Sequence, residues 1–536
     1  QDVLKRFRNC ARNTFSNYEA SSNDPIWGER VPLFNAAWQW AQAERWLENL
    51  NDKDRFKQIQ RAIAEAASHE RDALKNRAAG KAWRHCISRL HERERMALVA
   101  WSLAVGRIRG GTGKYAEKHR ESARQKLDEC RVAIPAWVMP LYQVVQTTRP
   151  RLHQFDIAII DEASQSGPES LLLNYIADKI IVVGDDKQIT PMHIGIERTS
   201  VEFLQRKYLK DIPHSDALDL DGSLYSQANL RFPDKIRLCE HFRCMPEIIQ
   251  FSNQLSYAAE EPLIPLRQYG ANRLEPVKAV FVKDGDRKGS SSDIENPPEA
   301  AAIVAQIAEC CENPLYDGKT FGVICLQGGN RQTNLINSLL RDEIGTAEID
   351  ARQILCGRPY DFQGDERDVI FLSLVDAPSE ETIHSISNNV DMQRRYNVAA
   401  SRARDQLWLF HSMTLNDLKP GSYQYRLLEY CQNPSVQSRE DTISAVELSA
   451  RERDSHPPDP FDSWFEVDVF IKIQAQGFRV LPQYEVAFYR IDLVVEGLNG
   501  RLAVECDGDM WHGPEKYEDD MARQRDIARC GGSVWR

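Results

Sequence analysis

The segment FDIAIIDEASQ, residues 155–165, decides how the chain is expected to fold. It begins as a short, almost wholly apolar run and ends in two adjacent carboxylates, Asp161 and Glu162. A strand this apolar is expected to be buried on both faces, in a parallel sheet covered by helices. At its carboxyl end, one carboxylate can hold Mg²⁺ while the next orients an attacking water, as hydrolysis of a nucleoside triphosphate requires.

A second apolar run, DKIIVVGDDKQITP (178–191), follows after a helix-like segment. It places Gly184, Asp185 and Gln188 just beyond the end of the strand. A glutamine in that position can hydrogen-bond a γ-phosphate and respond when the phosphate leaves. Acidic residues at one strand end are common, whereas the two segments together are a far more specific signal.

The composition of the whole chain is that of an ordinary globular protein. The 536 residues are 42% hydrophobic and 27% charged, and this length predicts several domains. No apolar run is long enough to cross a bilayer, and none of the 12 cysteines belongs to a C-x-x-C pair. We therefore expect a cytoplasmic protein with reduced thiols and no membrane partner. The net charge of −11 neither indicates nor excludes binding to nucleic acid.

The residue pattern divides the chain into segments of different character. Apolar residues at helical spacing predict a helical region first, in which four tryptophans are expected in helix–helix contacts, with stacking on nucleic-acid bases as the alternative. These are Trp38, Trp46, Trp83 and Trp101. Two α/β blocks, a polar linker and a last α/β unit follow. The predicted segments are 1–132, 133–235, 236–431, 432–460 and 461–536.

The order of motifs resembles that of a superfamily 1 helicase of the Upf/Dna-like branch. DEASQ and GDDKQ match its motifs II and III, and residues 133–144 resemble the segment that precedes motif II. Motifs IV, V and VI are matched by EHFRCMPEIIQFSN (240–253), DFQGDERDVIFLS (361–373) and RRYNVAASRARDQLWLFHS (394–412). The resemblance implies two RecA-like parallel-sheet motor domains with a helical insertion in the first. It also implies ATP as cofactor and a nucleic acid with a single-stranded segment as partner.

The resemblance also implies roles for individual side chains. Asp161 holds the metal ion, Glu162 orients the water, and Gln188 contacts the γ-phosphate. Arg243 and Arg402 stabilise the charge that develops on the phosphate. The residues implied in nucleotide binding are Gly184, Asp185, Gln363, Gly364 and Glu366.

Some residues of these motifs have two interpretations. On a helix, Arg402 and Arg404 would diverge by roughly 200°, so both could not face one phosphate. A surface salt bridge is the alternative for Arg404. Ser252 and Asn253 either contact the nucleic-acid strand or cap a helix.

A second chemistry is indicated by YRIDLVVEGLNGRLAVECDGDMWHG, residues 489–513. The pattern predicts a β-hairpin with Asp492 on one strand and Glu505 and Asp507 on one face of the other. Three such carboxylates form an oxygen-rich site suited to Mg²⁺ or Mn²⁺, which can activate water against a phosphodiester. A helix upstream carries Glu466, and His512 adds a possible acid or base.

This region resembles the PD-(D/E)XK nuclease fold, in particular its Vsr-like branch, where ECDGxxWH strings are typical. The resemblance implies a DNA endonuclease. Asp507 stands where that superfamily usually carries lysine, so the role of the lysine is expected to pass to His512, Lys516 or a second metal ion. A nuclease fold that binds DNA without cleaving it is the alternative.

The Gly-rich segment RGGTGKY (109–115) ends in the Gly-Lys pair of a phosphate loop but departs from GxxxxGK[ST]. Ile108 replaces the first glycine, Tyr115 replaces the hydroxyl residue, and helical patterns flank the segment. We therefore expect the phosphate loop to precede Gln1 in a longer polypeptide, and this fragment not to hydrolyse ATP alone. The expected function is an ATP-dependent DNA helicase or translocase fused to a Mg²⁺-dependent endonuclease, in repair or in defence against foreign DNA. A nucleic-acid-binding clamp and an RNA helicase are the alternatives.

Overall fold

The computed structural model of the protein divides by its internal contacts into two compact units, residues 1–149 and 150–536. Among the described residues, no helix combines the length and the apolar composition that crossing a membrane requires. The structure describes residues 5, 8, 12–50, 53–107, 116–148, 150–190, 197–213, 215, 218, 222–232, 234–257, 262–290, 293–378, 389–434, 448–451, 453, 456–486, 489–498, 500–506, 522–527 and 533–535.

The first unit is built of helices in its described part, as the residue spacing predicts. They are α1 (Arg12–Ala20), α2 (Ile26–Leu50), α3 (Lys53–Arg89), α4 (Glu92–Arg107), α5 (Ala116–Cys130) and α6 (Leu141–Thr147). Ala97 on α4 packs with Leu127 and Cys130 on α5 in a small buried cluster. The Gly-rich segment 109–115 lies outside the described residues.

The expectation that four tryptophans form helix–helix core is wrong for three of them. Trp38, Trp46 and Trp83 are 37%, 61% and 66% exposed, whereas Trp101 packs against the cluster of α4 and α5. Apolar spacing places these rings on helix faces, but burial also requires a second element over that face.

The second unit begins with two strands, β1 (Phe155–Ile160) and β2 (Ala177–Val182), joined through the short helix α7 (Leu172–Ile176). The strands are parallel, as expected, and Ile160 lies opposite Val182. The expectation that they are buried on both faces is wrong, since Ile157 and Ile159 are 54% and 69% exposed. Among the described residues β1 and β2 pair only with each other, and the exposure of these two side chains shows that no described element covers them.

Helices α8 (Arg198–Tyr208) and α9 (Leu224–Arg231) follow, and then the elements of a larger domain with one five-stranded sheet and two small two-stranded sheets. The strands are β3 (Glu240–His241), β4 (Ile264–Pro265), β5 (Val277–Phe281), β6 (Lys288–Ser290), β7 (Asp293–Glu295), β8 (Phe321–Cys325), β9 (Leu355–Gly357), β10 (Arg367–Ser373) and β11 (Ala403–His411). The helices are α10 (Pro246–Ser252), α11 (Pro297–Glu312), α12 (Arg331–Glu343), α13 (Thr346–Ala351), α14 (Val390–Ala400) and α15 (Tyr423–Gln432). The five-stranded sheet has the order β5-β11-β10-β8-β9, and every pairing in it is parallel. The two small sheets pair β3 with β4 and β6 with β7.

This larger sheet is buried on both faces. Ile370 and Leu372 on β10 enter a core with residues of α10, α14 and α15, while Val369 and Phe371 enter the opposite core with residues of α11 and α12. All four side chains are completely buried. Successive side chains of a strand point to opposite faces, so a continuous apolar run supplies both cores.

The C-terminal part of the second unit has the helix α16 (Trp464–Gln474) and a mixed four-stranded sheet. Its strands are β12 (Arg479–Val486), β13 (Tyr489–Glu496), β14 (Arg501–Val504) and β15 (Ser533–Trp535). β12, β13 and β14 are antiparallel neighbours, which confirms the predicted hairpin, and β15 runs parallel to β14.

The C-terminal sheet is anchored to the larger domain by the segment that follows β4. Leu266 is 1% exposed and belongs to a core cluster with Val486, Ile491, Val494 and Ala503 of the C-terminal sheet and with Ile527 of the helical segment between β14 and β15. The ring of Tyr269 lies 3.8 Å from the guanidinium carbon of Arg501. The Ala271 amide donates to the Gly497 carbonyl at 2.9 Å. Apolar, cation–π and backbone contacts therefore hold the two domains together, in addition to the linker.

Leu266→Ala is expected to destabilise this contact. Removing a buried leucine side chain costs about 2–5 kcal/mol because a cavity remains. Limited proteolysis and denaturant unfolding of the chain should show earlier release of residues 461–536.

Leu498→Ala is the matched control, because Leu498 lies in the hairpin turn at the same contact but its side chain is 73% exposed. Equal proteolysis of Leu266→Ala and the wild type would show that Leu266 does not anchor the C-terminal sheet.

Candidate functional site

The two carboxylates of DEASQ lie where β1 ends. Asp161 is exposed, and its Oδ1 accepts the Glu162 amide at 2.9 Å. Glu162 has a φ of 50°, and its Oε2 accepts Nε2 of Gln165 at 3.1 Å. Left-handed backbone in a residue other than glycine is rare and is concentrated at functional sites. The turn thus presents both carboxylates at the carboxyl edge of the strand.

The residues after β2 form a compact turn beside the first one. Asp185 accepts the Lys187 amide at 2.9 Å and Nε2 of Gln188 at 3.1 Å. A Cβ atom on Gly184 would lie 2.9 Å from Cδ2 of Tyr225 and 3.0 Å from the Ser164 amide nitrogen. This close approach explains glycine at position 184, and the turn orients the Gln188 amide.

Arg402 and Arg404 are not on a helix, which corrects that expectation. Helix α14 ends at Ala400 and β11 begins at Ala403, so Arg402 occupies the turn between them. The two side chains nevertheless diverge. Arg402 is 2% exposed, whereas Arg404 is 45% exposed and pairs with Glu366 at 3.7 Å and Asp368 at 3.6 Å. For Arg404 these contacts agree with the salt-bridge interpretation.

Arg402 contacts the turn that follows β2. One terminal nitrogen of its guanidinium donates to Oε1 of Gln188 at 2.9 Å, while its buried Nε has no hydrogen-bond acceptor among the described residues. Burial and then the positive charge of Arg243 lower the pKa of Arg402, and the carboxylate of Glu162 opposes this shift. An arginine remains charged despite such a shift, so the turn contains a buried cation with an unused donor.

Arg243 and the motif V residues line the same side of the larger domain. Nε of Arg243 lies 2.5 Å from Oε2 of Glu366, so these two predicted site residues form an ion pair. Nε2 of Gln363 donates to the Ile189 carbonyl at 3.2 Å. Gly364 has a φ of 72°, a conformation that glycine adopts without cost.

Residues to which the sequence assigned no role also form hydrogen bonds between the two α/β blocks, residues 150–235 and 236–431. The Tyr257 hydroxyl donates to Asp185 at 2.7 Å, and Asn397 donates to the Lys187 carbonyl at 3.0 Å. Arg394 donates to the Asp186 carbonyl at 3.0 Å. Burial raises the pKa of Tyr257, which keeps its hydroxyl protonated as a donor. Asn397 and Arg394 lie inside the segment matched to motif VI, whereas no pattern marks Tyr257.

Asn253 has a structural role in this domain. Its side chain accepts the Leu263 amide and donates to the Leu263 carbonyl, each at 2.8 Å. These two bonds fix the segment leading into β4. Asn253 is also the C-cap residue of α10, because its backbone amide donates to the Gln250 and Ile249 carbonyls, which agrees with the capping role.

The C-terminal sheet gathers a second set of acidic side chains. Glu466, near the start of α16, is 4% exposed and accepts Nε2 of Gln483 at 2.5 Å and the Ser463 hydroxyl at 2.8 Å. Burial raises the pKa of Glu466, and the nearby Asp492 raises it further, while its hydrogen bonds lower it. Gln483, which bonds Glu466, lies level with Asp492 on the neighbouring strand, so the two carboxylates lie in one neighbourhood.

Asp492 lies on β13, and Glu505 directly follows the neighbouring strand β14. Oδ2 of Asp492 accepts the Cys506 amide at 2.7 Å, and Glu505, 5% exposed, pairs with Arg523 at 3.0 Å. Asp507 and His512, predicted for the same site, lie outside the described residues, as does Lys516.

The side chains of this site suit a hard divalent cation, since Glu466, Asp492 and Glu505 supply carboxylate oxygens. Arg523 contributes a positive charge that pairs with Glu505. In the part of the chain that the structure describes, no group of three or more His, Cys, Asp or Glu side chains is arranged to hold a metal ion. A further oxygen is nonetheless present, because Oε1 of Gln483 is buried without a hydrogen-bond donor among the described residues.

Comparisons with known families agree with this division into two functional regions. Residues 220–414 match the family model AAA_12, an AAA domain, and residues 465–536 match the restriction-endonuclease-like model REase_MTES_1575. The chain therefore combines a helicase-like AAA domain with a restriction-endonuclease-like domain at its C-terminal side, in a mixed α/β architecture with a parallel sheet. No curated protein was found to match the chain.

Solved helicase structures are also similar to parts of the chain. The C-terminal domain of a possible DNA helicase from Lactobacillus plantarum WCFS1 is 14% identical, with 33% of this chain and 90% of that chain covered and a TM-score of 0.19. The PRRSV helicase is 12% identical, with 48% and 36% covered and a TM-score of 0.24.

A complex of the arterivirus nonstructural protein 10 helicase with DNA is 16% identical, with 55% of this chain and 51% of that chain covered and a TM-score of 0.24. The chain spans about half or less of the length of these last two helicases. At such identities and TM-scores the three matches carry no argument about function.

His241, which precedes Arg243 in the candidate site, is expected to make stability depend on pH. Its Nε2 accepts the Cys244 amide at 3.1 Å, and burial, then Arg243 and Arg402, lower its pKa to about 4. The unfolded chain protonates this histidine near pH 6.5 but the folded chain does not, so the stabilisation is lost as pH falls from about 6.5 to 4. The loss should reach about 3 kcal/mol at most, measured by denaturant unfolding across that range.

His241→Gln should flatten this pH dependence, because glutamine still offers an acceptor but does not titrate. His69→Gln, at an exposed helical position, is the control and should leave the wild-type slope unchanged. Identical slopes for His241→Gln and the wild type would contradict the assignment.

Proposed function

We propose that the chain is part of an ATP-dependent DNA translocase or helicase joined to a metal-dependent DNA endonuclease, acting in repair or in defence against foreign DNA. The observation that carries the motor assignment is the buried Arg402, which bonds Gln188 and keeps an unused donor. The observation that carries the nuclease assignment is the gathering of Glu466, Asp492 and Glu505 in the region that matches the restriction-endonuclease-like model.

The environment of Arg402 suits a phosphate group. A buried cation is costly unless an anion or several acceptors face it, and among the described residues Gln188 accepts from one of the Arg402 donors. The carboxylate of Glu162 acts on Arg402 electrostatically from the turn after β1. A γ-phosphate between these turns would accept a hydrogen bond from the free Nε of Arg402 on one side. On the other side it would face the attacking water oriented by Glu162.

The contacts between the two blocks suggest how hydrolysis would move them. Gln188, Asp185 and Ile189 on one block are held by Arg402, Tyr257 and Gln363 on the other. Loss of the phosphate would weaken this set of polar contacts and allow the blocks to separate. We assign residues 133–235 and 236–431 to the two motor domains, 1–132 to a helical accessory region and 432–460 to the linker.

Mg²⁺ bound at Asp161 would neutralise the charge of the phosphates during transfer. Asp161 is suited to this role because its carboxylate is exposed at the strand end and one of its oxygens is oriented by the Glu162 amide. Gly184, Asp185, Gln363, Gly364 and Glu366 complete the proposed nucleotide site. Glu366 is held by Arg243, so this cation is kept near the same site.

In the endonuclease, Glu466, Asp492, Glu505 and Asp507 are the proposed acidic residues and His512 the proposed acid or base. Mg²⁺ or Mn²⁺ would activate water at these oxygens. The ion pair of Glu505 with Arg523 favours a second candidate, a domain that binds DNA without cleaving it, because the arginine neutralises one carboxylate. Cleavage assays separate the two.

Arg402→Lys is expected to lower DNA-stimulated ATP hydrolysis about 10³-fold, since arginine fingers stabilise transition-state charge by that order. Lysine keeps the positive charge but lacks the planar donor set that reaches two partners. Phosphate release is measured in the presence of single-stranded DNA, on a polypeptide that carries these residues together with a phosphate loop.

Arg404→Ala is the matched control, because it lies two residues away with its side chain 45% exposed. Its turnover should stay within a few-fold of wild type. Full turnover by Arg402→Lys would refute the proposed role of Arg402.

Asp492→Ala is expected to abolish nicking of plasmid DNA in Mg²⁺ or Mn²⁺, because it removes an oxygen from the proposed metal site. Gel separation of nicked and supercoiled plasmid gives the measurement.

Asp468→Ala is a suitable control, since Asp468 lies on α16 outside the proposed site and pairs with Arg453. Nicking by the wild type and by Asp468→Ala, with none by Asp492→Ala, supports an endonuclease. A wild type that binds DNA but never cleaves it would instead establish the binding domain.

A further inference from the structure

Gln483 is a buried residue of β12 with an unusual backbone. It is 4% exposed and has a φ of 50°, in the left-handed region. Its neighbours pair regularly with β13, Pro482 with Leu493 and Tyr484 with Ile491, so Gln483 lies level with Asp492. A left-handed residue other than glycine is strained and persists only where the surrounding structure holds it in that conformation.

Hydrogen bonding fixes which end of the Gln483 amide faces which neighbour. Its Nε2 donates to Oε2 of Glu466 at 2.5 Å. Because an ionised carboxylate only accepts, the amide nitrogen must face Glu466, and the amide oxygen is directed elsewhere. That oxygen, Oε1, is buried and receives no hydrogen bond from the described residues. A buried acceptor left without a partner destabilises the folded chain, because the oxygen has lost its hydrogen bonds to water.

The charges around Gln483 indicate which kind of partner suits the free oxygen. Glu466, with which Gln483 shares its hydrogen bond, and Asp492, level with it on β13, are both acidic. Glu505 adds a third carboxylate, and Arg523, paired with Glu505, contributes one positive charge. A region with excess negative charge and an unpartnered carbonyl-type oxygen attracts a cation, and glutamine amide oxygens are ligands for hard divalent cations.

We propose that Gln483 is a metal ligand and positioning residue of the C-terminal site: its amide nitrogen fixes the Glu466 carboxylate, and its amide oxygen binds a divalent cation together with Asp492. The proposal rests on the proposed endonuclease function and adds to it a neutral ligand. Such a ligand lets the site bind a dication without placing a fourth negative charge beside three carboxylates.

Manganese titration tests the proposal through a readout that does not depend on cleavage. We expect Gln483→Leu to weaken Mn²⁺ binding by about 10- to 100-fold, the loss typical when a group that supports a metal site is removed. Isothermal titration calorimetry of the whole chain with Mn²⁺ gives the dissociation constant. The matched control is Gln476→Leu, an exposed glutamine just after α16, which should bind Mn²⁺ as the wild type does.

Gln483→Glu separates the ligand role from a purely structural one. Glutamate keeps an oxygen but cannot donate to Glu466, so it should bind Mn²⁺ at least tenfold more tightly than Gln483→Leu does. Without metal it adds a buried like charge, and its thermal unfolding midpoint in EDTA should be lowered and then recovered by Mn²⁺. This recovery provides the test even where Gln483→Leu does not fold.

Wild-type affinity in Gln483→Leu, or equal loss of affinity in both variants, would overturn the ligand role of the oxygen. If Gln483→Leu does not fold, a midpoint of Gln483→Glu that does not respond to Mn²⁺ overturns it. These results differ from failure of the endonuclease proposal, in which the wild type neither binds Mn²⁺ nor nicks plasmid. A wild type that does both, with unchanged Mn²⁺ affinity in Gln483→Leu, refutes the inference about Gln483 alone.

Discussion

The two α/β blocks of residues 150–431 meet around one buried charge, the guanidinium group of Arg402. Its side chain is 2% exposed, and an ion removed from water to this extent costs several kcal/mol unless polar partners surround it. Gln188 and the nearby Glu162 supply part of that compensation from the opposite block. The Arg402 carbonyl accepts the Arg367 amide at 3.1 Å, so the register of β10 and β11 holds the residue in place. The larger sheet thus serves as the rigid support for a cation that faces the other block.

The position of the C-terminal sheet follows from a short stretch of the same domain. β4 pairs with β3, two residues before Arg243, and continues directly into Leu266, which packs in the C-terminal core. Arg267 donates to the Arg243 carbonyl at 2.8 Å. On the other side of the contact, Arg501 is the first residue of β14, and Glu505 directly follows that strand. The proposed phosphate-contacting and metal-binding residues are therefore linked by a few packed residues, in addition to the polar linker.

Sequence patterns predicted well what depends on neighbouring residues. The strand ending in Asp161, the turn carrying Gln188 and the hairpin carrying Asp492 each occur as expected, because the hydrophobic period and turn residues of one short segment determine them. Predictions that required a second element were less successful. The exposed faces of Ile157 and Trp83 show that an apolar pattern does not say whether anything covers it. Tyr257 and Gln483 carry no recognisable pattern, and their importance depends on Asp185 and Glu466, which are distant in the sequence.

The sequence by itself determined the α/β architecture, the order of the two chemical regions and the acidic and basic residues at the strand ends. These features are local, since they follow from the alternation of side chains along a strand and from the groups placed next to its end. The tertiary structure alone decided that Gln188 meets Arg402 across 214 residues, that Leu266 anchors the C-terminal sheet, and that the oxygen of Gln483 is left without a donor. Each of these depends on packing between separate elements. Burial then gives a charge or an amide an energetic consequence that it would not have in water.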